Sequence, residues 1–81
     1  MPDNIQEIND KGQFHGWNIV HFNNGNIMYK GQFINDSEHG LWEYFNLNGT
    51  IMHKGEYING NQIGFWIEEI DCKHNYFFYA R

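Results

Sequence analysis

The chain repeats itself with a period of 24 residues, which restricts it to an array of small supersecondary units that bury their apolar faces only against neighbours. One whole unit lies between Gly40 and Gly64, GLWEYFNLNGTIMHKGEYINGNQIG. Shifted back by 24, Gly40, Gly49 and Gly55 fall on Gly16, Gly25 and Gly31, while Ile51, Met52, Lys54, Tyr57 and Ile58 meet Ile27, Met28, Lys30, Phe33 and Ile34. Shifted forward, Gly40, Leu41 and Trp42 reach Gly64, Phe65 and Trp66.

The glycine spacing names the unit. An apolar, aromatic run breaks at Asn48-Gly49 and resumes at Ile51-Met52, and the same break occurs at Asn24-Gly25. Asn-Gly between β-prone runs signals a tight hairpin whose two turn residues both take positive φ. Each repeat therefore reads as a two-stranded hairpin. The pattern G-x-W-x-x-[YF]-x-x-x-G-x-[IL]-x-x-x-G-x-[YF]-x-N-G-x-x-x-G resembles the MORN repeat, and more closely its bacterial variant in YwqK-type antitoxins. The resemblance covers roughly residues 11–70 and implies structural roles for Gly16, Gly25, Gly31, Gly40, Gly49, Gly55 and Gly64. It divides the chain into a half-repeat 11–15, repeats 16–39 and 40–63, and a partial repeat 64–81.

Eighty-one residues make a single domain with a thin core, since a chain this short buries only about 60% of its unfolded surface. Nineteen per cent of the residues are aromatic, so large rings must supply most of that core. A net charge of −5 with scattered basic residues disfavours nucleic acid and anionic membranes as partners. A lone cysteine, Cys72, forms no internal disulfide, and no leader-like or membrane-spanning apolar run is present, so a cytoplasmic protein is expected.

Residues 1–10 lack the glycine phase and are expected to fray, with Ile5 and Ile8 able to lie against the first hairpin. Lys11-Gly12-Gln13-Phe14 matches the tetrads Lys30-Gly31-Gln32-Phe33 and Lys54-Gly55-Glu56-Tyr57 and opens the array. Phe14 reaches Gly16 at once, which predicts a tight first connection, whereas Phe33 reaches Gly40 through a longer stretch that reads as a loop. Strands are expected at roughly 9–14, 17–22, 27–34, 41–46, 51–58, 65–70 and 76–80. Their short connections require an all-β, single-layer, coiled antiparallel meander, coiling so that one face folds on itself. Period-2 alternation puts Ile27, Tyr29, Gly31 and Phe33 on the core face. Gly31 and Gly55 lie mid-strand, where glycine marks a bend or a close approach, and Trp42 and Trp66 are placed to cover them.

Catalytic chemistry finds no support. Glu68 and Glu69 are neighbours on a strand and point to opposite faces, so they cannot converge on one substrate. Ser37 and Thr50, the chain's single serine and threonine, fall in or beside turns and have no Ser/His/Asp setting. Five histidines accompany Cys72, but Cys72-x-His74 alone does not make a four-ligand zinc site, and His15 and His39 recur before the repeat glycine as turn residues. No enzyme activity, metal or cofactor is expected.

Lys30 and Lys54, with Lys11, form a row suited to an acidic partner, but solvent-side lysines that keep a flat sheet soluble explain it more simply. Fifteen rings (three Trp, five Tyr, seven Phe) exceed the need of one thin core, which marks some as contact residues. The candidates are Trp17, Trp42, Tyr44 and Trp66, and Tyr44 stands out because its repeat equivalents, Val20 and Glu68, are not aromatic. Phe77 and Phe78 join them: Tyr76 to Tyr79 are four consecutive aromatics, so a strand there is apolar on both faces. Such an edge implies a homodimer or a partner contact. The resemblance implies a non-catalytic module that covers and neutralises a toxin or host protein. A mobile-element inhibitor and a small-ligand-binding dimer are the alternative readings.

Overall fold

The computed structural model describes residues 3–70 and 73–80, and their regular structure is entirely β. The strands are β1 (Ile5–Ile8), β2 (Phe14–His21), β3 (Ile27–Ile34), β4 (Ser37–Phe45), β5 (Ile51–Ile58), β6 (Asn61–Ile70) and β7 (Lys73–Tyr79). Each pairs antiparallel with its neighbours in sequence, giving one open sheet in the order β1 to β7. The sheet measures 42 × 37 × 11 Å, a single layer, so the expectation that one face folds on itself is not met. Burial comes instead from rings lying flat on the sheet.

Two kinds of turn alternate with the ladder. Asn9–Gln13, Phe22–Asn26 and Asn46–Thr50 each close with a backbone bond from the first N–H to the last carbonyl, at 2.8–2.9 Å. A second bond runs from the glycine N–H of Gly12, Gly25 or Gly49 back to the first residue's carbonyl, at 2.9–3.0 Å. This is the three-residue loop that ends on a left-handed glycine; Asn24 and Asn48 are not left-handed, contrary to the two-residue turn expected at Asn-Gly. The two-residue turns lie elsewhere, at Asn35-Asp36 (φ 46° and 68°) and Asn59-Gly60 (φ 50° and 80°), where loops were anticipated in both cases. Short polar side chains make Asn and Asp tolerant of this conformation, and the Asp36 carboxylate also accepts the Phe14 N–H at 2.7 Å.

The start of the chain also departs from the expected strands. Residues 9–12 are a turn, held by Asn9 Oδ1, which accepts the N–H groups of Lys11 and Gln13 at 2.9 and 3.1 Å. Gly12 is thus a turn glycine with φ 78°, unlike Gly31, and the matching tetrad does not mark equivalent structure. No turn separates Phe14 from Gly16, because β2 runs through both, and Ile5–Ile8 forms an ordered strand against it rather than fraying.

The core is built from the Gly-x-Trp segments. Between the pairs Gln32↔His39 and Lys30↔Glu43, β3 advances two residues while β4 advances four. The same surplus occurs between Glu56↔Ile63 and Lys54↔Ile67. Each bulge tips its tryptophan back over the preceding strand. The indoles of Trp42 and Trp66 lie on Gly31 and Gly55, as the repeat predicts: a Cβ on either glycine would sit 2.5 Å from the ring's Cγ and closer still to Cδ2 and Cε2. Trp42 Nε1 donates to the Gln32 carbonyl at 3.0 Å and Trp66 Nε1 to that of Glu56 at 3.2 Å, so the polar end of each ring is satisfied. Phe33 and Tyr57 present edges to Trp42, and Tyr57 and Tyr79 to Trp66.

Candidate functional site

Because neighbouring residues of a strand face opposite ways, the bulged register sorts the sequence into two surfaces. The packed face carries Phe14, Tyr29, Phe33, Trp42, Tyr44, His53, Tyr57, Trp66 and Tyr79, joined ring to ring. The outward face is read along the paired rows. One row runs Ile5, Ile19, Lys30, Glu43, Lys54, Ile67, Tyr76; the other runs Trp17, Gln32, then Leu41, Glu56, then Phe65, Phe78. Charge holds the middle of this face, where Lys30 Nζ lies 3.8 Å from Glu43 and Glu43 pairs across to Lys54. Apolar groups hold its two ends.

The larger apolar end lies on β4–β7. Phe65 is 72% and Phe78 64% exposed, with ring centroids 4.8 Å apart, and Tyr76 and Leu41 stand open beside them. Leu41, Lys54, Glu56, Phe65, Ile67 and Tyr76 line a shallow depression there. At the other end Trp17 is 45% exposed and shares a depression with Ile5, Glu7 and Ile19. Trp17, Leu41 and Phe65 are 24 residues apart, so the repeat itself produces this outward apolar series.

The structure therefore divides the six contact candidates. Trp42 and Trp66, 2% and 1% exposed, are core residues with no surface to offer, because the bulges press them against glycine. Trp17 lies outward: it is the repeat partner of Leu41 and Phe65, while Asn18 holds the position of Trp42 and Trp66. Tyr44 does share the face of Trp42. It is half-buried between Trp42 and His53, with its hydroxyl 3.4 Å from that of Tyr57, and burial pushes its phenol above the usual range. Phe77 is on the packed face and Phe78 on the outward one. Leu41 and Phe65 were not singled out from sequence; their 24-residue spacing from Trp17 is the signal that marks them.

The remaining polar groups do not converge. His53 faces Glu68 across the ladder, and burial lowers its pKa from 6.5 while the carboxylate opposes that shift. Among the described residues no three His, Cys, Asp or Glu side chains gather closely enough to hold a metal; Cys72 lies outside those residues. Among the described residues no helix is long and apolar enough to cross a membrane. Compared with family models, curated proteins and solved structures, the chain finds no match.

Proposed function

We propose that the chain is a non-catalytic protein-binding module whose outward face, centred on Leu41, Phe65, Tyr76 and Phe78, covers a partner protein. The observation that carries this reading is the exposed aromatic cluster. Monomeric proteins rarely leave large rings clustered and open, whereas binding surfaces use them as anchors. The mixed-charge Lys30–Glu43–Lys54 row beside the cluster supplies polar contacts that fix orientation without a strong field of one sign. The MORN-like repeat pattern and its likeness to YwqK-type antitoxins make a toxin or another host protein the favoured partner class, acting in the cytoplasm.

The test is affinity capture with the wild-type chain as bait, followed by titration calorimetry with the captured protein after purification. The expected result is at least a tenfold weaker Kd for Phe65→Ser and Leu41→Ser, in variants whose circular dichroism is unchanged. If the captured protein is a toxin, co-expression of the wild-type chain restores growth and the Phe65→Ser chain does not. Unchanged affinity in both variants, for every captured protein, refutes the reading.

A further inference from the structure

The two edges of the sheet are treated differently. β1 is four residues long, its register slips between Gln6 and Ile8, and one of its side chains and that of the residue before it occupy β2 backbone groups. Glu7 Oε1 accepts the Trp17 N–H at 2.6 Å and Asn4 Oδ1 accepts that of His21 at 2.8 Å. A short, bulged edge with a carboxylate is guarded against strand addition. β7 is the reverse. It runs seven residues in unbroken register with β6, contains no proline or carboxylate, and leaves every second backbone N–H and C=O directed away from β6.

Comparison with the earlier repeats shows what has changed on this strand. The pairs Asn18↔Gly31, Trp42↔Gly55 and Trp66↔Phe77 are equivalent, so Phe77 stands where the earlier strands have glycine. By the same register Tyr76 replaces Lys30 and Lys54, and Phe78 replaces Gln32 and Glu56. The first change fills the seat that a further tryptophan would need. An added strand of the repeat type is therefore excluded, while the next two changes make the outward side of the edge apolar where the repeat is polar.

From these observations we infer that β7 is a pairing edge for a second copy of this chain, β7 against β7, antiparallel about a twofold axis normal to the sheet. That operator keeps both outward faces on one side, so the two Phe65–Tyr76–Phe78 clusters merge into one apolar surface. Antiparallel pairing also carries the two Lys73 side chains to opposite ends of the junction, away from each other. The net charge of −5 opposes association over the rest of the surface, and β7, with no acidic residue, is where that repulsion is least.

Strand pairing is read in the purified chain alone, without any other protein, so its outcome is separate from that of the partner reading. Sedimentation equilibrium of the wild type is expected to give twice the monomer mass at hundreds of micromolar and a dissociating dimer on dilution. Tyr76→Lys with Phe78→Glu, which restores the residue types of the earlier repeats, is expected to give a folded monomer at every concentration. Ile5→Lys on the guarded edge leaves the dimer intact. Hydrogen exchange of the wild type, compared at low and high concentration, is expected to slow tenfold or more at alternate β7 amides; this reading stands even if the double variant fails to fold. A wild type that stays monomeric at the highest concentration, a dimer that survives Tyr76→Lys/Phe78→Glu, or concentration-dependent protection on β1 instead of β7 overturns the inference.

Discussion

Replacing Gly55 by alanine adds one methyl group, and the structure specifies where it must go: into the Trp66 ring, well inside the distance any Cβ tolerates. The ring has little freedom to retreat, being 1% exposed, flanked edge-on by Tyr57 and Tyr79, and tied through Nε1 to the Glu56 carbonyl. Overpacking of this kind costs about 1–3 kcal/mol, and losing the indole hydrogen bond adds about 1 kcal/mol. Against this, alanine restricts the unfolded chain and returns about 0.4–1 kcal/mol. The expected net destabilisation is about 2 kcal/mol, a large share of the total for a domain of this size. Urea unfolding at constant m-value measures it. The decisive control is Trp66→Leu, in which the space above residue 55 opens: there Gly55→Ala is expected to be neutral or stabilising, giving a coupling energy of about 2 kcal/mol between the two positions. If Gly55→Ala unfolds within about 0.5 kcal/mol of wild type, the ordinary range for surface changes, the ring does not depend on the missing side chain and the reasoning fails.

Asn18 occupies the tryptophan position of the first repeat, 2% exposed, with its side-chain oxygen buried and without a hydrogen-bond partner. Asn18→Leu removes that penalty and is expected to raise the urea midpoint by an amount equivalent to about 1 kcal/mol; a lower midpoint refutes it. His53 has a folded-state pKa below 6.5, chiefly from burial, so the unfolded chain takes up its proton first as pH falls. Its neutral form is accommodated above pH 6.5, and stability is expected to decline as pH drops below that value until the folded state also protonates, a decline that His53→Gln reduces. Stability measured from pH 8 to pH 5 checks the sign.

The sheet and its core pairs were legible because the repeat places two absences, Gly31 and Gly55, in phase with two surplus rings, Trp42 and Trp66. The turns were less so. Asn-Gly suits both a two-residue turn and the left-handed end of a three-residue loop, and Asn24-Gly25 takes the second, needing positive φ only at Gly25. Asn35-Asp36 makes the tight turn with no glycine, helped by a carboxylate bond to a residue 22 positions earlier, which local sequence does not reveal. The outward surface was obscured by the same bulges that build the core. Trp17 looks like the counterpart of Trp42, yet pairing register makes it the counterpart of Leu41, and tryptophan in one repeat reads as contact where in the next it reads as core.

Every strand of this sheet pairs only with the strands adjacent to it in the chain. For a β protein this is an unusual economy of chain closure: no pairing has to wait for a distant segment to arrive, so the loop-entropy barrier that slows sandwiches and barrels is small at each step. Folding is expected to be fast for an all-β domain and to spread hairpin by hairpin from any completed Trp-on-Gly contact. The same locality makes opening piecemeal. Strands are expected to peel from an edge one at a time while Trp42 keeps its hold on Gly31, with the slowest amide exchange at β3, β4 and β5 in the middle of the sheet.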